Sequence, residues 1–321
     1  MDQASKRRGR PVPDAININI KPLAFNLEEA LAVESLYRPN LLVIQQDIKP
    51  WEVTLNSRDA AVQNLRFLRV WFDVPHTIFF ASVTYLDLFL SCMKVQEKYL
   101  TCVTISCFHL ALLNENVNID VKELLSVSQN KFSIKDVLRM SNIIKEKLKV
   151  ENKIINITTC ADILKIYLDI LGYAKSSYRE MMQKEQLLTR LEVLLSDSSC
   201  AFFRSSTLSL VLLKLEVDKK MQQAIASKSV LQVGELLHVL AVIREIQVSC
   251  KIKLAELVNC SNNALKILKQ YDNQERSKHS QPLKWRFSSW TLSLGKRCRN
   301  YQLSLDPIEE KPLSFHKRIR T

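Results

Sequence analysis

The sequence predicts an all-α protein made of two successive sets of five helices, and three observations support this fold class. Glycine is scarce, with 4 residues in 321, whereas strand-and-turn folds need glycine for the positive φ angles of their hairpins. Apolar residues recur at helical spacing through most of the chain. The second half of the stretch 78–113 is apolar nearly all round, which is typical of a helix surrounded by protein. We therefore expect this helix, the third of its set, to be a buried axis.

The first set follows in order along the chain. Helical spacing of apolar residues predicts a preceding short helix over residues 27–36 and then five core helices over residues 57–74, 78–113 (as two helices), 119–127 and 133–150. Asn26 is the expected N-cap of the preceding helix, and Pro75 separates the first core helix from the second. The residues Ser-Ile-Lys-Asp at 133–136 resemble a capping box, which predicts a helix start there.

The second set is predicted from the same spacing, without a residue-level repeat between the halves. Its helices are expected from residue 160 onward and at about 181–196, 205–221, 229–246 and 250–271. Thr159 and Asp162 fit a capping start, and Gly172 is the expected stop of the first helix. The predicted domains are a disordered basic arm (1–22), an N-terminal helical domain (23–152), a C-terminal helical domain (153–272) and a basic tail (273–321).

Composition and charge limit the function classes. The net charge is +13, which favours acidic partners or a nuclear address. The 8 cysteines include no CxxC pair, so we expect free thiols in a reducing compartment. Lys94, Glu97 and Lys98 interrupt the apolar stretch, which leaves less than the roughly 20 residues that a bilayer requires. We expect no membrane association and no secretory signal.

No set of side chains suggests catalysis or metal binding. His109 has no second ligand at helical spacing, so we expect a core or groove histidine. Cys102 and Cys107 lie on different helix faces, and no glycine-rich phosphate loop is present. Asp87 is expected to pack or to form hydrogen bonds instead of acting as an acid catalyst. We predict a protein that is not an enzyme and binds no metal or cofactor.

Several motifs together carry a resemblance to a known family. Residues 85–90, YLDLFL, resemble the YIDRFL signature of the cyclin box, with Leu88 in the place of the usual arginine. Residues 137–140, VLRM, are similar to the VLRME of its fifth helix. The segments 62–72, 86–102, 126–140 and 300–310 resemble the atypical G and I branch of the cyclins. The resemblance implies tandem five-helix cyclin-box domains and a non-catalytic regulatory subunit.

The resemblance also implies a kinase interface on the rims of the third and fifth helices. In standard cyclins a lysine and a glutamate at these rims pin the kinase. Here the lysine position falls on Leu113 and the glutamate position on Ser141. The other rim positions are Asn114, Lys145 and Val150, of which Val150 is the conventional apolar contact. Since losing one partner of a charged interfacial pair typically costs about 2–5 kcal/mol, we expect a weakened kinase clamp.

A second surface of standard cyclins docks arginine-containing substrate motifs on the first helix. The corresponding positions here are Val62, Leu65, Leu68 and Trp71. These positions depart from the family pattern, and Arg66 and Arg69 are expected to place positive charge beside the groove. We therefore predict weak or absent docking of such motifs.

The expected partner is a cyclin-dependent kinase, whose activity the chain modulates in cell-cycle control. An alternative is a kinase-independent adaptor, for which the G-like branch points to a regulatory subunit of protein phosphatase 2A. A third hypothesis, DNA binding, is motivated by the charge and by the RGRP of the arm, and we favour it least. The arm residues Lys6, Arg7, Arg8 and Arg10 also fit a nuclear localisation signal or a solvated basic tail. We expect the protein in nucleus and cytoplasm.

Overall fold

The structure, a computed structural model, describes residues 21–46, 49–128, 132–148 and 157–277. Within these ranges the chain is helical and has no β-strand; one isolated bridge joins Glu52 to Gln96. This confirms the predicted all-α class. None of the helices in the described ranges is both long and apolar enough to cross a bilayer.

The first half contains six α-helices in its described residues, of which the last five form the first set. They are α1 (Lys21–Leu36), α2 (Leu55–Trp71), α3 (His76–Cys92), α4 (Glu97–Asn114), α5 (Val121–Ser128) and α6 (Ile134–Lys147). A short 3₁₀ helix, Leu41–Gln45, lies between α1 and α2.

The second half has five longer helices and two short ones in the described part of the chain. They are α7 (Cys160–Ala174), α8 (Ser176–Met181), α9 (Lys184–Leu195), α10 (Ser198–Ala201), α11 (Ser205–Ala226), α12 (Val230–Ser249) and α13 (Leu254–Ser277). The helix α11 packs against α7, α9, α12 and α13.

Each set is built around one buried helix, α4 in the first and α11 in the second. Every residue from Cys102 to Leu112 is buried in α4, and every residue from Ser206 to Leu213 is buried in α11. The buried hydroxyls are satisfied locally: Ser106 donates to the carbonyl of Cys102 at 2.8 Å. The predicted burial of the third helix is therefore confirmed, and α4 fixes the positions of α2, α3 and α6 around it.

Two predicted helix starts have the expected capping geometry. The Ser133 hydroxyl accepts from the Asp136 amide, and the Asp136 carboxylate accepts from the Ser133 amide at 2.8 Å. The same reciprocal pair links Thr159 and Asp162, with 2.9 Å from the Thr159 amide to the carboxylate. These two boxes set the starts of α6 and α7.

Two other boundary predictions are wrong. Asn26 does not cap the first helix, because α1 begins at Lys21 and Asn26 lies inside it. Gly172 does not end α7, which continues to Ala174. A Cβ at Gly172 would lie 3.2 Å from the side chain of Arg179, so this glycine allows close packing of α8 on α7 instead of a turn.

Helix α1 packs on the second set, although it precedes the first set in the chain. It contacts α7, and its buried Glu34 accepts from the Ser206 amide at 2.6 Å and from the Ser206 hydroxyl at 2.8 Å. A carboxylate at this position satisfies an amide of the first turn of α11 and interacts favourably with the helix dipole. Glu34 therefore caps the buried axis of the second set.

Candidate protein-binding site

The candidate kinase rim lies where the end of α4 meets α6. Leu113 is 47% exposed, whereas Ser141 is 3% exposed and faces the α4–α6 contact. Asn114 is half-buried, and its side-chain amide donates to the hydroxyl of Tyr85. Lys145 is half-buried on α6. Val150 lies outside the described residues.

The buried side chain of His109 lies between Leu113 and Ser141. Its imidazole is buried, with Nδ1 at 3.4 Å from the hydroxyl of Ser141. Burial, with a further contribution from the charge of Lys145, lowers the pKa of His109. The histidine is therefore biased towards its neutral form, and neither Leu113 nor Ser141 beside it carries a charge.

The exposed surface of α6 adds apolar area to this rim. Ile134 is 41% exposed and Leu138 is 43% exposed, and the two residues are one helical turn apart. We call Leu113, Leu138, Ser141 and Lys145 the α4–α6 rim. The rim can exclude water against an apolar partner surface, but Leu113 and Ser141 supply no charged contact.

The structure places most of the predicted docking residues inside the protein. Val62 and Leu65 are fully buried, and Leu68 is 3% exposed. Trp71 is half-buried and packs on Phe67, with 5.4 Å between ring centroids. In this structure only Trp71 of the four residues reaches the surface to an appreciable extent. Weak docking of arginine-containing motifs stays a prediction.

The predicted positive charge beside that groove is partly offset by an acidic residue of the second set of helices. The Nε atoms of Arg66 and Arg69 lie 3.4 Å and 2.8 Å from the carboxylate oxygens of Glu192, which is fully buried on α9. Nδ1 of His76 lies 2.6 Å from the same carboxylate. One carboxylate offsets part of the charge of two guanidiniums, so the expected positive charge beside the groove is reduced and not abolished.

Sequence reasoning also missed the partner of Asp87. The carboxylate of Asp87 accepts two hydrogen bonds from Arg58, at 2.8 Å from Nε and 2.6 Å from Nη2. Arg58 is fully buried, and its Nη1 donates to the carbonyl of Leu195 at 2.8 Å. Asp59 accepts from the amide of Ser198 at 3.1 Å. These contacts tie α2 and α3 to the end of α9 and fix the two sets against each other.

The cysteines in the described ranges show no arrangement for chemistry. Six of the seven described cysteines are buried and all are free thiols, and burial raises the pKa of Cys160 and Cys200 to about 12. Among the described residues no group of histidine, cysteine or acidic side chains is arranged to hold a metal ion. The features that stand out are the α4–α6 rim with its exposed apolar side chains and a charged seam between the helix sets.

The fold and the rim define a cyclin-type helical protein, and comparisons with known proteins support this class. The family model described as "Cyclin, N-terminal domain" matches residues 25–152. The structure is similar to a viral cyclin from herpesvirus saimiri, with a TM-score of 0.51 and 17% identity, covering 70% of this chain and 96% of that chain. This likeness concerns the fold.

Two curated relatives place the chain within the family. Cyclin-G1 of Sus scrofa is 31% identical over 247 residues, covering 74% of this chain and 77% of the relative. Cyclin G of Drosophila melanogaster is 30% identical over 269 residues, covering 81% of this chain and 46% of the relative. The chain thus spans less than half of the Drosophila protein. The chain belongs to the cyclin family and is similar to its G-type members, which confirms the resemblance and supports a regulatory role.

Proposed function

We propose that this chain is a non-catalytic regulatory subunit that binds a cyclin-dependent kinase through the α4–α6 rim, in cell-cycle control. Family membership supports a regulatory role, and the buried axis α4 presents the rim at its carboxyl end. The observation that carries the proposal is the exposed apolar surface of Leu113 and Leu138 beside the end of this axis. The charged pair expected of a kinase clamp is absent there, since the two positions hold Leu113 and Ser141.

The consequence for affinity follows from the missing charges. A charged interfacial pair that loses one partner typically forfeits about 2–5 kcal/mol. Apolar contact by Leu113 and Leu138 offsets part of this loss of binding free energy, since buried apolar area contributes roughly 25 cal/mol per Å². We therefore infer a kinase complex that forms through apolar contact and is weaker than one held by a clamp.

The test is to install the clamp in the full-length chain. Leu113→Lys combined with Ser141→Glu is expected to raise the amount of kinase recovered with the purified chain by at least tenfold, or about 1.4 kcal/mol. The matched control is the reversed pair, Leu113→Glu with Ser141→Lys, which adds the same number of charges and should not raise recovery. No change with the first pair, or an equal rise with both pairs, would contradict a rim that faces the kinase.

A second candidate function is a kinase-independent adaptor for a regulatory subunit of protein phosphatase 2A. The missing charged pair favours it, because Leu113 and Leu138 offer apolar contact to any partner without selecting a kinase. Pull-down with the purified phosphatase subunit distinguishes the two. The adaptor proposal replaces the first one if the wild-type chain recovers no kinase but binds the phosphatase subunit. Leu138→Asp should then abolish the binding of this subunit.

We also propose that the basic arm directs part of the protein to the nucleus. The support is the run Lys6, Arg7, Arg8 and Arg10 in the sequence; these residues lie outside the described ranges. Binding of the arm to A·T-rich DNA is the less favoured use of the same charges. DNA binding that persists undiminished at high salt would argue against any charge-driven mode.

A further inference from the structure

A cavity opens between α1, α7 and α12, and its volume is about 220 Å³. Apolar side chains form its walls: Leu27, Leu31, Ile170, Val242 and Ile246. All of them are buried except Leu31, which is half-buried. The walls are therefore packed against the protein on their outer sides, and the space between them is open to an apolar group.

The mouth of this cavity carries negative charge. Glu28 of α1 and Glu245 of α12 line it together with Ser249, and all three residues are exposed. Within the described ranges neither glutamate forms an ion pair or a side-chain hydrogen bond. Because charges on partner surfaces are arranged to be complementary, the mouth favours an apolar group that is accompanied by basic residues.

The size of the cavity favours a single aromatic side chain as its occupant. Pockets for small-molecule ligands typically measure about 300–1,000 Å³, which is larger than this cavity. An apolar cavity of about 150 Å³ binds benzene, so the 220 Å³ found here have room for the larger indole ring of a tryptophan. The chemistry of the site therefore fits a tryptophan with basic neighbours.

The tail of this chain contains a segment with that chemistry. Residues 290–294 read Trp-Thr-Leu-Ser-Leu, in which large apolar residues alternate with small polar ones. In an extended chain such alternation places the apolar side chains on one face. Residues 295–299 follow with Gly-Lys-Arg-Cys-Arg, which adds three basic side chains and no acidic one. These residues lie outside the described ranges.

The length of chain after α13 determines which tail tryptophan can reach the cavity. The cavity lies near the carboxyl end of α12, where Ser249 is followed by the start of α13 at Leu254. The 24 residues of α13 carry the chain about 36 Å away from that point before the helix ends at Ser277. An extended chain spans at most about 3.6 Å per residue. Trp285 is 8 residues beyond Ser277 and spans at most about 29 Å, whereas Trp290 is 13 residues beyond it and spans up to about 47 Å.

We propose that residues 290–299 of the tail dock in the cavity between α1, α7 and α12. The indole of Trp290 fills the cavity, and the basic residues that follow it lie at the carboxylates of Glu28 and Glu245. Covalent linkage favours this occupant over a separate molecule, because a flexibly tethered segment has an effective concentration on the order of millimolar. The site therefore binds a tryptophan followed by basic residues, and the chain supplies this ligand itself.

The test is fluorine NMR of the full chain labelled with 5-fluorotryptophan, in which the signal of each of the 4 tryptophans is assigned by its Trp→Phe variant. The Trp290 signal is expected to differ from its position in urea, whereas the Trp285 signal should stay near its position in urea. Glu28→Lys replaces an attraction at the mouth by a repulsion and should lower the docked-to-free ratio of Trp290 at least about threefold. The matched control is Glu29→Lys, the same charge change at the next exposed position of α1, which does not line the cavity. It should leave the ratio unchanged.

Filling the cavity gives a second test that does not depend on charge. Leu31→Phe enlarges a half-buried side chain of the cavity wall and should shift the Trp290 signal towards its position in urea. Leu36→Phe makes the same change at an exposed position of the same helix, outside the cavity, and should have no effect. Circular dichroism should show the same helix content for all four variants of α1.

Three results would overturn the proposal. The first is a Trp290 signal at its position in urea in the wild-type chain. The second is a displaced Trp290 signal that neither Glu28→Lys nor Leu31→Phe moves, or that the two control variants move equally. The third is a docked fraction that falls on dilution, because a segment bound within its own chain keeps its effective concentration; such a fall would show that the cavity takes the tail of another copy.

Discussion

Replacing Asp87 with alanine would take from the buried guanidinium of Arg58 its bidentate carboxylate and leave only one carboxylate contact, that of Nη1 with Asp59 at 3.1 Å. The side chain of Arg58 is fully buried and that of Asp87 is 6% exposed, and the two form a bidentate pair. Burial disfavours the charged guanidinium, but the charges and hydrogen bonds of Asp87 and Asp59 outweigh it, so the net effect raises the pKa of Arg58. Arg58 stays charged when Asp87 is removed, because the guanidinium group is not deprotonated in proteins.

The magnitude follows from this burial. Removing one partner of a buried ion pair typically costs about 3–5 kcal/mol, whereas replacing both partners with apolar residues is often close to neutral. We expect Asp87→Ala to lower the free energy of unfolding by about 3–5 kcal/mol. The double variant Arg58→Met with Asp87→Leu should lose only about 1–2 kcal/mol, because the carbonyl of Leu195 then lacks its donor.

The assay is urea unfolding followed by circular dichroism. The control is Glu146→Ala, which removes an exposed carboxylate from α6 and should stay within about 0.5 kcal/mol of the wild type. A free energy of unfolding for Asp87→Ala within about 1 kcal/mol of the wild-type value would contradict the expected loss of roughly 3–5 kcal/mol. A double variant as unstable as the single one would contradict the role of the unpaired charge.

Three further predictions concern other parts of the chain. Glu34→Ala should destabilise the protein by about 1–3 kcal/mol by leaving the start of α11 uncapped, measured by urea unfolding against the exposed Glu29→Ala; equal effects would contradict the capping role. The pKa of His109 is lowered from its usual value near 6.5, so the unfolded chain takes up the proton first and stability is lost as pH falls below about 6.5. His109→Gln should therefore lose less of its urea midpoint between about pH 7.5 and about pH 5 than the wild type does, and an equal loss would count against the neutral buried histidine. Arg7→Ala with Arg8→Ala should shift a fluorescent fusion from nucleus to cytoplasm in live cells, and unchanged imaging would exclude the arm as the signal.

The elements of the fold were predictable where local chemistry decides them. The buried axis α4 follows from an apolar run interrupted by Lys94, Glu97 and Lys98, because a helix apolar all round must be enclosed by protein. Capping boxes such as that of Ser133 set helix starts through residues three apart. Gly172 misled the prediction, because its role depends on packing against Arg179 instead of on backbone conformation.

The contacts between the helix sets could not be predicted from one sequence. Asp87 was recognised as a hydrogen-bonding residue, but its partner Arg58 lies 29 positions earlier and no local pattern links them. Glu192 lies more than a hundred positions after His76, yet it binds this histidine and neutralises Arg69. Such pairs depend on how two packed domains meet, and a helical periodicity carries no information on that.

The α4–α6 rim as a kinase-binding surface is the central claim, and affinity purification with mass spectrometry from dividing cells tests it most directly. The wild-type chain is compared with Leu113→Asp and Leu138→Asp, which place a charge on exposed apolar positions of the rim. A cyclin-dependent kinase that is recovered with the wild type and depleted by both variants is the predicted result. A kinase recovered equally with all three chains, or with none of them, would contradict the claim.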